Sequence, residues 1–205
     1  MTEIERPQIY LISPAVIDIE SSPDQLAAVL DATEIACVRL ALASADEDHI
    51  SRVADAMRSV THERDIALVI ETHVKLVDRL GLDGVHLTDG ARSVRFMRKE
   101  LGADAIVGAF CGNTRHDGMN AGEAGADYVS FGPVGTSALG DGRVAEQDLF
   151  SWWSEMVEVP VVAEGGLDHD LIRSLAPFTD FFGIGAEIWG RDDPVAALKG
   201  FVEVM

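Results

Sequence analysis

The chain has 205 residues, 47% hydrophobic and 25% charged, a composition that indicates a globular protein and excludes a disordered or collagen-like one. Its 35 acidic and 16 basic residues give a net charge of -19, which disfavours nucleic acid and anionic lipid as partners. No apolar run reaches the ~18 residues that a membrane span needs. Residues 1–8 lack a signal-peptide pattern and Cys37 and Cys111 lack metal-ligand spacing, so we expect a cytoplasmic protein.

Short apolar runs alternate with longer amphipathic stretches along the whole chain. The runs are rich in Val, Ile, Ala and Phe, which is typical of parallel strands buried on both faces. They predict strands over 8–12, 35–40, 66–70, 84–87, 105–109, 128–131, 159–163 and 181–184. Helices are predicted over 23–32, 47–63, 74–80, 93–101, 115–124, 147–156, 168–175 and 193–204.

Capping signals support these helices. Ser22 and Asp193 each precede a proline suited to a first helical turn. Three glycines follow helical stretches, as C-terminal glycines do: Gly81, Gly102 and Gly125. Eight strand–helix units without a linker predict a (β/α)8 TIM barrel as a single domain over residues 1–205. The alternative, a doubly wound open sheet, is disfavoured because no early G-x-G-x-x-G is present.

The loops after strands 7 and 8 carry the strongest local signal for a ligand. Active sites of such barrels lie at the carboxyl ends of the strands, and these two loops often bind phosphate. Glycines there let several backbone N–H groups point outward. The candidate phosphate-binding residues are Gly165, Gly166, Gly185 and Ala186, with residues 187–190 as a short extra helix. The alternative is that these glycines only permit tight turns.

Acids and imidazoles follow strands 3 and 4 at the predicted barrel mouth. Glu71, His73 and His86 are candidates for acid–base work, and Glu71 with Asp89 for a metal site. An equal alternative for His86 is that it is a hydrogen-bonded interior side chain. The alternative for Asp89 is that it only stabilises a turn beside Gly90. Arg39 lies inside an apolar strand, so it either contacts a ligand or forms an internal salt bridge, with Glu71 as one candidate partner.

The loops after strands 5 and 6 supply further candidate pocket residues. Asn113 lies in the first of these loops, and Ser137 lies in the second. Arg115 and His116 open the fifth helix, where they form either an anion clamp or a solvated first turn.

Three motifs in order resemble the thiamine-phosphate synthase and TenI-type barrel family. They are Asp-Gly-Val-His-Leu at 83–87, Gly-Ala-Asp-Tyr at 125–128 with Phe-Gly-Pro-Val at 131–134, and Pro-Val-Val-Ala-Glu-Gly-Gly-Leu at 160–167. The resemblance implies a (β/α)8 barrel whose last two loops hold a thiazole phosphate. It also implies a reaction with hydroxymethylpyrimidine pyrophosphate, using Mg²⁺ and releasing pyrophosphate.

The chain departs from this family at the pyrophosphate and magnesium positions. The family's Gln-Leu-Arg-Glu-Lys corresponds to residues 39–43, Arg-Leu-Ala-Leu-Ala, which removes its cations. The two magnesium aspartates correspond to Thr72 and Ala91, and the family's Thr-x-Thr-Lys falls at residues 137–140. The histidine typical of TenI-type aromatases is replaced by Pro133.

We therefore expect a thiamine-phosphate synthase-like transferase of thiamine biosynthesis with a degenerate catalytic set and weak or absent turnover. The alternative is a divergent paralogue that binds another small phosphorylated metabolite, with a different activity or none. Either function implies a small phosphorylated substrate and neither a nucleic acid nor a membrane as partner. A homodimer stays open.

Overall fold

Within residues 6–205, which the computed structural model describes, eight parallel strands close into a barrel. They are β1 Gln8–Ile12, β2 Ile35–Leu40, β3 Ala67–Glu71, β4 Gly84–Leu87, β5 Ile106–Phe110, β6 Tyr128–Phe131, β7 Val161–Glu164 and β8 Phe181–Ile184. Each strand pairs with the next, and β8 returns to pair with β1, so the sheet has no free edge. The predicted (β/α)8 barrel is confirmed.

Helices of the same 6–205 range cover the outside of the barrel. They are α1 Ser22–Leu30, α2 Glu47–His62, α3 Lys75–Leu80, α4 Val94–Leu101, α5 Arg115–Ala124, α6 Gln147–Met156, α7 His169–Leu175, α8 Ala186–Trp189 and α9 Pro194–Val202, with a 3-10 helix over Ala176–Phe178. None of them is long and apolar enough to cross a membrane. The prediction about the N-terminal segment concerns mainly residues 1–5, which lie outside the described residues.

Most helix ends follow the predicted chemistry. The Asp193 carboxylate accepts the backbone N–H of Ala196 at 2.9 Å at the start of α9. Gly81 and Gly125 end α3 and α5 in the left-handed conformation, with φ of 65° and 102°. Ser22 differs from the prediction, because α1 already begins there and the Ser22 hydroxyl accepts the N–H of Asp18 at 3.1 Å instead of capping.

Three strands begin later than the apolar runs that predicted them, and one of these is β5, which begins at Ile106 rather than at residue 105. β3 begins at Ala67, since the N–H of Ile66 donates to the carbonyl of Thr61 at 3.1 Å. β7 begins at Val161, because the preceding residue, Pro160, has no N–H to donate to a ladder.

Side chains alternate between a core under the helices and a smaller cluster inside the barrel. The interior cluster contains Tyr10, Val69, Tyr128 and Val162. The two tyrosine hydroxyls lie 2.5 Å apart, and because β1 and β6 are not neighbours this contact crosses the barrel interior. Gly108 makes room for it, since a Cβ there would lie 2.0 Å from the Tyr128 ring.

Aspartates just before even-numbered strands fasten them to the preceding strand, and we call these contacts aspartate clamps. The Asp83 carboxylate accepts the N–H of Leu68 at 2.7 Å, while the Asp83 N–H donates to the Leu68 carbonyl at 3.0 Å. The same two contacts recur between Asp127 and Val107 and between Asp180 and Val161. The clamps hold the amino-terminal end of the barrel, which leaves the opposite end for a site.

Candidate functional site

An ion pair crosses the barrel interior below the mouth. Arg39 of β2 donates to both carboxylate oxygens of Glu164 at the end of β7, at 2.5 and 3.2 Å. The two residues are 5% and 1% exposed. The structure therefore decides between the two predictions for Arg39 in favour of internal pairing, with Glu164 rather than Glu71 as the partner.

A directed chain of hydrogen bonds continues from this ion pair. A guanidinium can only donate, so Arg39 Nη1 donates to Nε2 of His86 at 2.8 Å. His86 Nδ1 then carries the proton and donates to the hydroxyl of Tyr128 at 2.9 Å. The hydroxyls of Tyr128 and Tyr10 share the last hydrogen bond, in which either oxygen can donate. Arg39 therefore fixes the proton position of His86, and we call these five residues the interior relay: Glu164, Arg39, His86, Tyr128 and Tyr10.

Burial fixes the protonation states of the interior relay. Burial acts to lower the pKa of Arg39, but the Glu164 carboxylate outweighs it and the pKa lies above its ordinary value. Burial, together with the Arg39 charge, holds the pKa of His86 well below its ordinary value, so the imidazole is neutral. Burial raises the pKa of both tyrosines well above the ordinary range. Arg39 and His86 are therefore buried members of a hydrogen-bonded interior network, as the alternative prediction for each residue had it, and their catalytic role stays a prediction.

Glu71 lies one level higher, at the end of β3, and is half-buried. Burial raises the pKa of its carboxyl group, with Arg39 opposing the rise and Glu164 adding to it. Thr72 follows with a φ of 62°, a conformation that a β-branched residue rarely adopts. Backbone strain of this kind concentrates at functional sites, and the sequence pattern gave no sign of it.

A cavity of about 460 Å³ opens at the mouth above β4, β5 and β6. Predicted residues Asn113 and Asp89 line it. Its charged lining consists of Asp89, Asp117 and Asp141 against Arg92 and Arg143. Asp141 accepts from Arg143 at 2.8 Å, which leaves the cavity acidic in balance.

Four predicted site residues do not line this cavity. Arg115 lies over the Trp152 ring at 4.7 Å, on the outer face between α5 and α6, and His116 contacts Asn120 one turn along α5. His73 lines a separate groove beside α3 and α4. Ser137 is exposed, and its hydroxyl accepts the N–H of Leu139. Arg115 and His116 are exposed in the first turn of α5, as the alternative of a solvated first turn predicted, and their role as pocket residues stays a prediction.

The loops after β7 and β8 direct backbone N–H groups at one point. Gly166 and Leu167 donate to Oε1 of Glu187 at 3.1 and 3.2 Å, and Gly185 donates to Oε2 at 2.9 Å. We call these three N–H groups the loop nest. It includes two of the four predicted donors, and the sequence missed Leu167 and Glu187. The short helix predicted over 187–190 is present as α8.

Glycine is required at position 166 of the loop nest. Gly166 has a φ of 76°, and a Cβ on it would lie 2.7 Å from the carbonyl carbon of Gly135. The loops after β6 and β7 therefore pack directly backbone against backbone.

The acids at the mouth do not form a ready metal site. Among residues 6–205, no three His, Cys, Asp or Glu side chains lie close enough together to hold a metal ion. Asp89 is exposed and accepts the Ser93 hydroxyl at 2.6 Å, whereas Glu71 is half-buried among the interior charges. The described residues therefore do not bring Glu71 and Asp89 together with a third ligand, and the Mg²⁺ site stays a prediction.

Comparison with known proteins gives one consistent family. The family model described as thiamine monophosphate synthase matches residues 9–183. A thiamine-phosphate synthase of Rhodospirillum centenum is 38% identical over 203 residues, which cover 97% of each chain. The thiamine-phosphate synthase of Erythrobacter litoralis is 36% identical, over 99% of this chain and 98% of the relative. A solved thiamine phosphate pyrophosphorylase from Pyrococcus furiosus superposes with a TM-score of 0.82 at 22% identity, over 96% of this chain and 94% of that one.

Proposed function

We propose a function for this chain from the premise that it belongs to the thiamine monophosphate synthase family. It is a thiamine-phosphate synthase-type protein of thiamine biosynthesis. Its reaction joins a hydroxymethylpyrimidine pyrophosphate to a thiazole phosphate with release of pyrophosphate. Turnover is low, because the chain provides few cations for the leaving group.

The loop nest is the observation that carries this proposal. Three N–H groups from two successive loops converge on a carboxylate, which shows that this position accepts an anion. A phosphate offers the same two-oxygen face to such donors and needs no lysine. The thiazole phosphate is therefore assigned to the loop nest.

The mouth cavity over β4 to β6 is assigned to the pyrimidine pyrophosphate. Pyrophosphate carries about three negative charges near neutral pH and leaves readily only when metal or cations neutralise it. Arg39 is paired with Glu164 below the mouth, and Arg143 is paired with Asp141. The remaining lining is acidic in balance, so the side chains that face this cavity retain pyrophosphate poorly.

The interior relay gives the mouth a rigid floor. Burial keeps the His86 imidazole neutral and raises the pKa of both tyrosine hydroxyls well above the ordinary range, so these three side chains move no proton in the reaction. Asn113 and the hydroxyls of Thr88 and Thr114 are neutral polar groups of the lining that can donate to a phosphate or pyrimidine oxygen.

A second candidate function is binding of another small phosphorylated metabolite, with a different reaction or none. The specific observation in its favour is the acidic lining of the cavity assigned to pyrophosphate. The loop nest serves both candidates equally, so only chemistry at the mouth separates them.

The test combines turnover with binding. Purified protein is incubated with both substrates, with and without magnesium, and thiamine phosphate is detected; slow formation supports the first function. No product, with retained binding of thiazole phosphate, supports the second. Magnesium-dependent turnover that Glu71→Ala and Asp89→Ala abolish would make those acids a metal site.

A glycine pair tests where the phosphate binds. Gly166→Val places a Cβ into the backbone of the loop after β6, so we expect thiazole phosphate binding to be lost. Gly102→Val is the matched control, since Gly102 also has a positive φ, of 84°, but lies at the opposite end of the barrel with open space around its Cβ. Unchanged affinity in a folded Gly166→Val protein would place the phosphate elsewhere.

A further inference from the structure

The carboxylate of Glu187 lies where the phosphate of the substrate is assigned. Its Oε1 accepts two N–H groups from the loop after β7, and its Oε2 accepts one from the loop after β8. Each N–H carries a single proton, so it cannot serve this carboxylate and a phosphate oxygen at full strength together. Two anions at the same point also repel each other.

Glu187 is built to hold this position from within the chain. It is the second residue of α8, directly after Gly185 and Ala186, so its side chain folds back over the start of its own short helix. Because the carboxylate is part of the chain, its contact with the loop nest is intramolecular. It therefore loses less entropy on binding there than a free ligand does. The residue is half-buried rather than enclosed, which leaves its side chain room to rotate away.

The structure offers a place for the displaced carboxylate. A cavity of about 490 Å³ beside Glu187 is lined by His169, Asp168, Arg191 and an ion pair in which Arg173 donates to Asp170 at 2.7 Å. Arg191 Nε donates to the main-chain carbonyl of Glu187 at 3.3 Å, so its guanidinium lies beside this residue. In the part of the chain that the structure describes, Arg191 forms no salt bridge. If the Glu187 side chain rotated toward Arg191, its carboxylate would lose the three N–H donors of the loop nest and gain the Arg191 guanidinium as a partner.

We propose that Glu187 is an internal competitor for the substrate phosphate, which binds the loop nest only when the Glu187 side chain leaves it. The proposal rests on the proposed phosphate site. It makes Glu187 a specificity-determining residue, because an anion must compete successfully with a tethered carboxylate to bind. The apparent affinity for phosphate is reduced by the fraction of molecules in which the loop nest is open.

The experiment measures binding of inorganic phosphate and of thiazole phosphate by calorimetry in four proteins. They are the unsubstituted chain, Glu187→Gln, Glu187→Ala and the control Glu158→Gln. The control removes the same unit of charge from an exposed residue at the opposite end of the barrel. We expect the affinity for phosphate to rise about tenfold or more in Glu187→Ala, to rise less in Glu187→Gln, and to stay unchanged in the control. A rise of this size follows when a competitor that occupies the loop nest in most molecules is removed.

Thermal unfolding gives a second readout that a purely structural role would not produce. Without phosphate, Glu187→Ala leaves three donors unfilled and melts at a lower temperature than the unsubstituted chain. Added phosphate restores its melting temperature by mass action and stabilises the unsubstituted chain less.

The outcomes separate the two proposals. Equal or weaker phosphate affinity in both Glu187 variants, with Gly166→Val still abolishing binding, overturns the competitor role and leaves the phosphate site intact. Absence of phosphate binding in all four proteins overturns the phosphate site, and the competitor role with it.

Discussion

Glu164→Gln tests whether the ion pair below the mouth sets the stability of the barrel. The substitution keeps the shape of the side chain but leaves the Arg39 guanidinium, 5% exposed, without a counter-charge. Removing one partner of a buried pair costs about 3–5 kcal/mol. At about 2–4 °C per kcal/mol for a domain of this size, the melting temperature falls by roughly 10 °C.

The assay is thermal and urea unfolding of Glu164→Gln, of Arg39→Met and of the double variant Arg39→Met/Glu164→Leu. The double variant should recover most of the loss, since an apolar pair of similar volume replaces a buried ion pair at little cost. His86 Nε2 loses its donor there, so about 1–3 kcal/mol stays missing. Asp55→Asn, which breaks the exposed Arg58–Asp55 pair on α2, is the control and should cost less than about 1 kcal/mol. The reasoning would be refuted if Glu164→Gln were as stable as the control. It would also be refuted if the stability lost in the double variant equalled the sum of the losses in the two single variants.

Two further variants probe the mouth and the opposite end. Glu71→Gln should raise the melting temperature at pH 7.5, because a pKa raised by burial means that the charged form costs stability above that pKa. The gain should vanish as the pH falls below the ordinary carboxyl value of ~4.3, and an equal gain at pH 4 would contradict this. Asp127→Ala removes an aspartate clamp and the Arg98 ion pair, so urea unfolding should show a loss of about 1–3 kcal/mol, against little change for Asp55→Ala.

The strand and helix pattern was predictable because it depends on local chemistry. Runs composed mainly of apolar residues predicted β1, β2, β4, β6 and β8 to the residue, since most side chains on both faces of these strands are buried. Errors of one or two residues arose where a single backbone group decided the start, as at Pro160.

Contacts across the barrel were not predictable from local pattern. Arg39 and Glu164 are 125 residues apart in sequence and pair across the barrel interior. Glu71 was the predicted partner of Arg39 because the two residues lie on adjacent strands, β2 and β3. Glu187 resembles an ordinary acid in the first turn of a helix, and only the close approach of two loops gives it three donors. The sequence predicts where a helix begins but not the direction in which the side chains of its first turn point. It therefore did not predict that Arg115 lies over the Trp152 ring.

The aspartate clamps divide the barrel into pairs of strands, and we expect the backbone pairing between these units to open locally and independently. β3–β4, β5–β6 and β7–β8 are each fastened, but the described residues show no such contact between β1 and β2, whose register also shifts between Ile9 and Tyr10. Local unfolding begins where backbone pairing is least supported. Amide protons along the β1–β2 seam should therefore exchange with solvent before those of the fastened pairs. Tyr10 lies on this seam, so transient opening there would admit water to the end of the interior relay without separating the loops that form the loop nest.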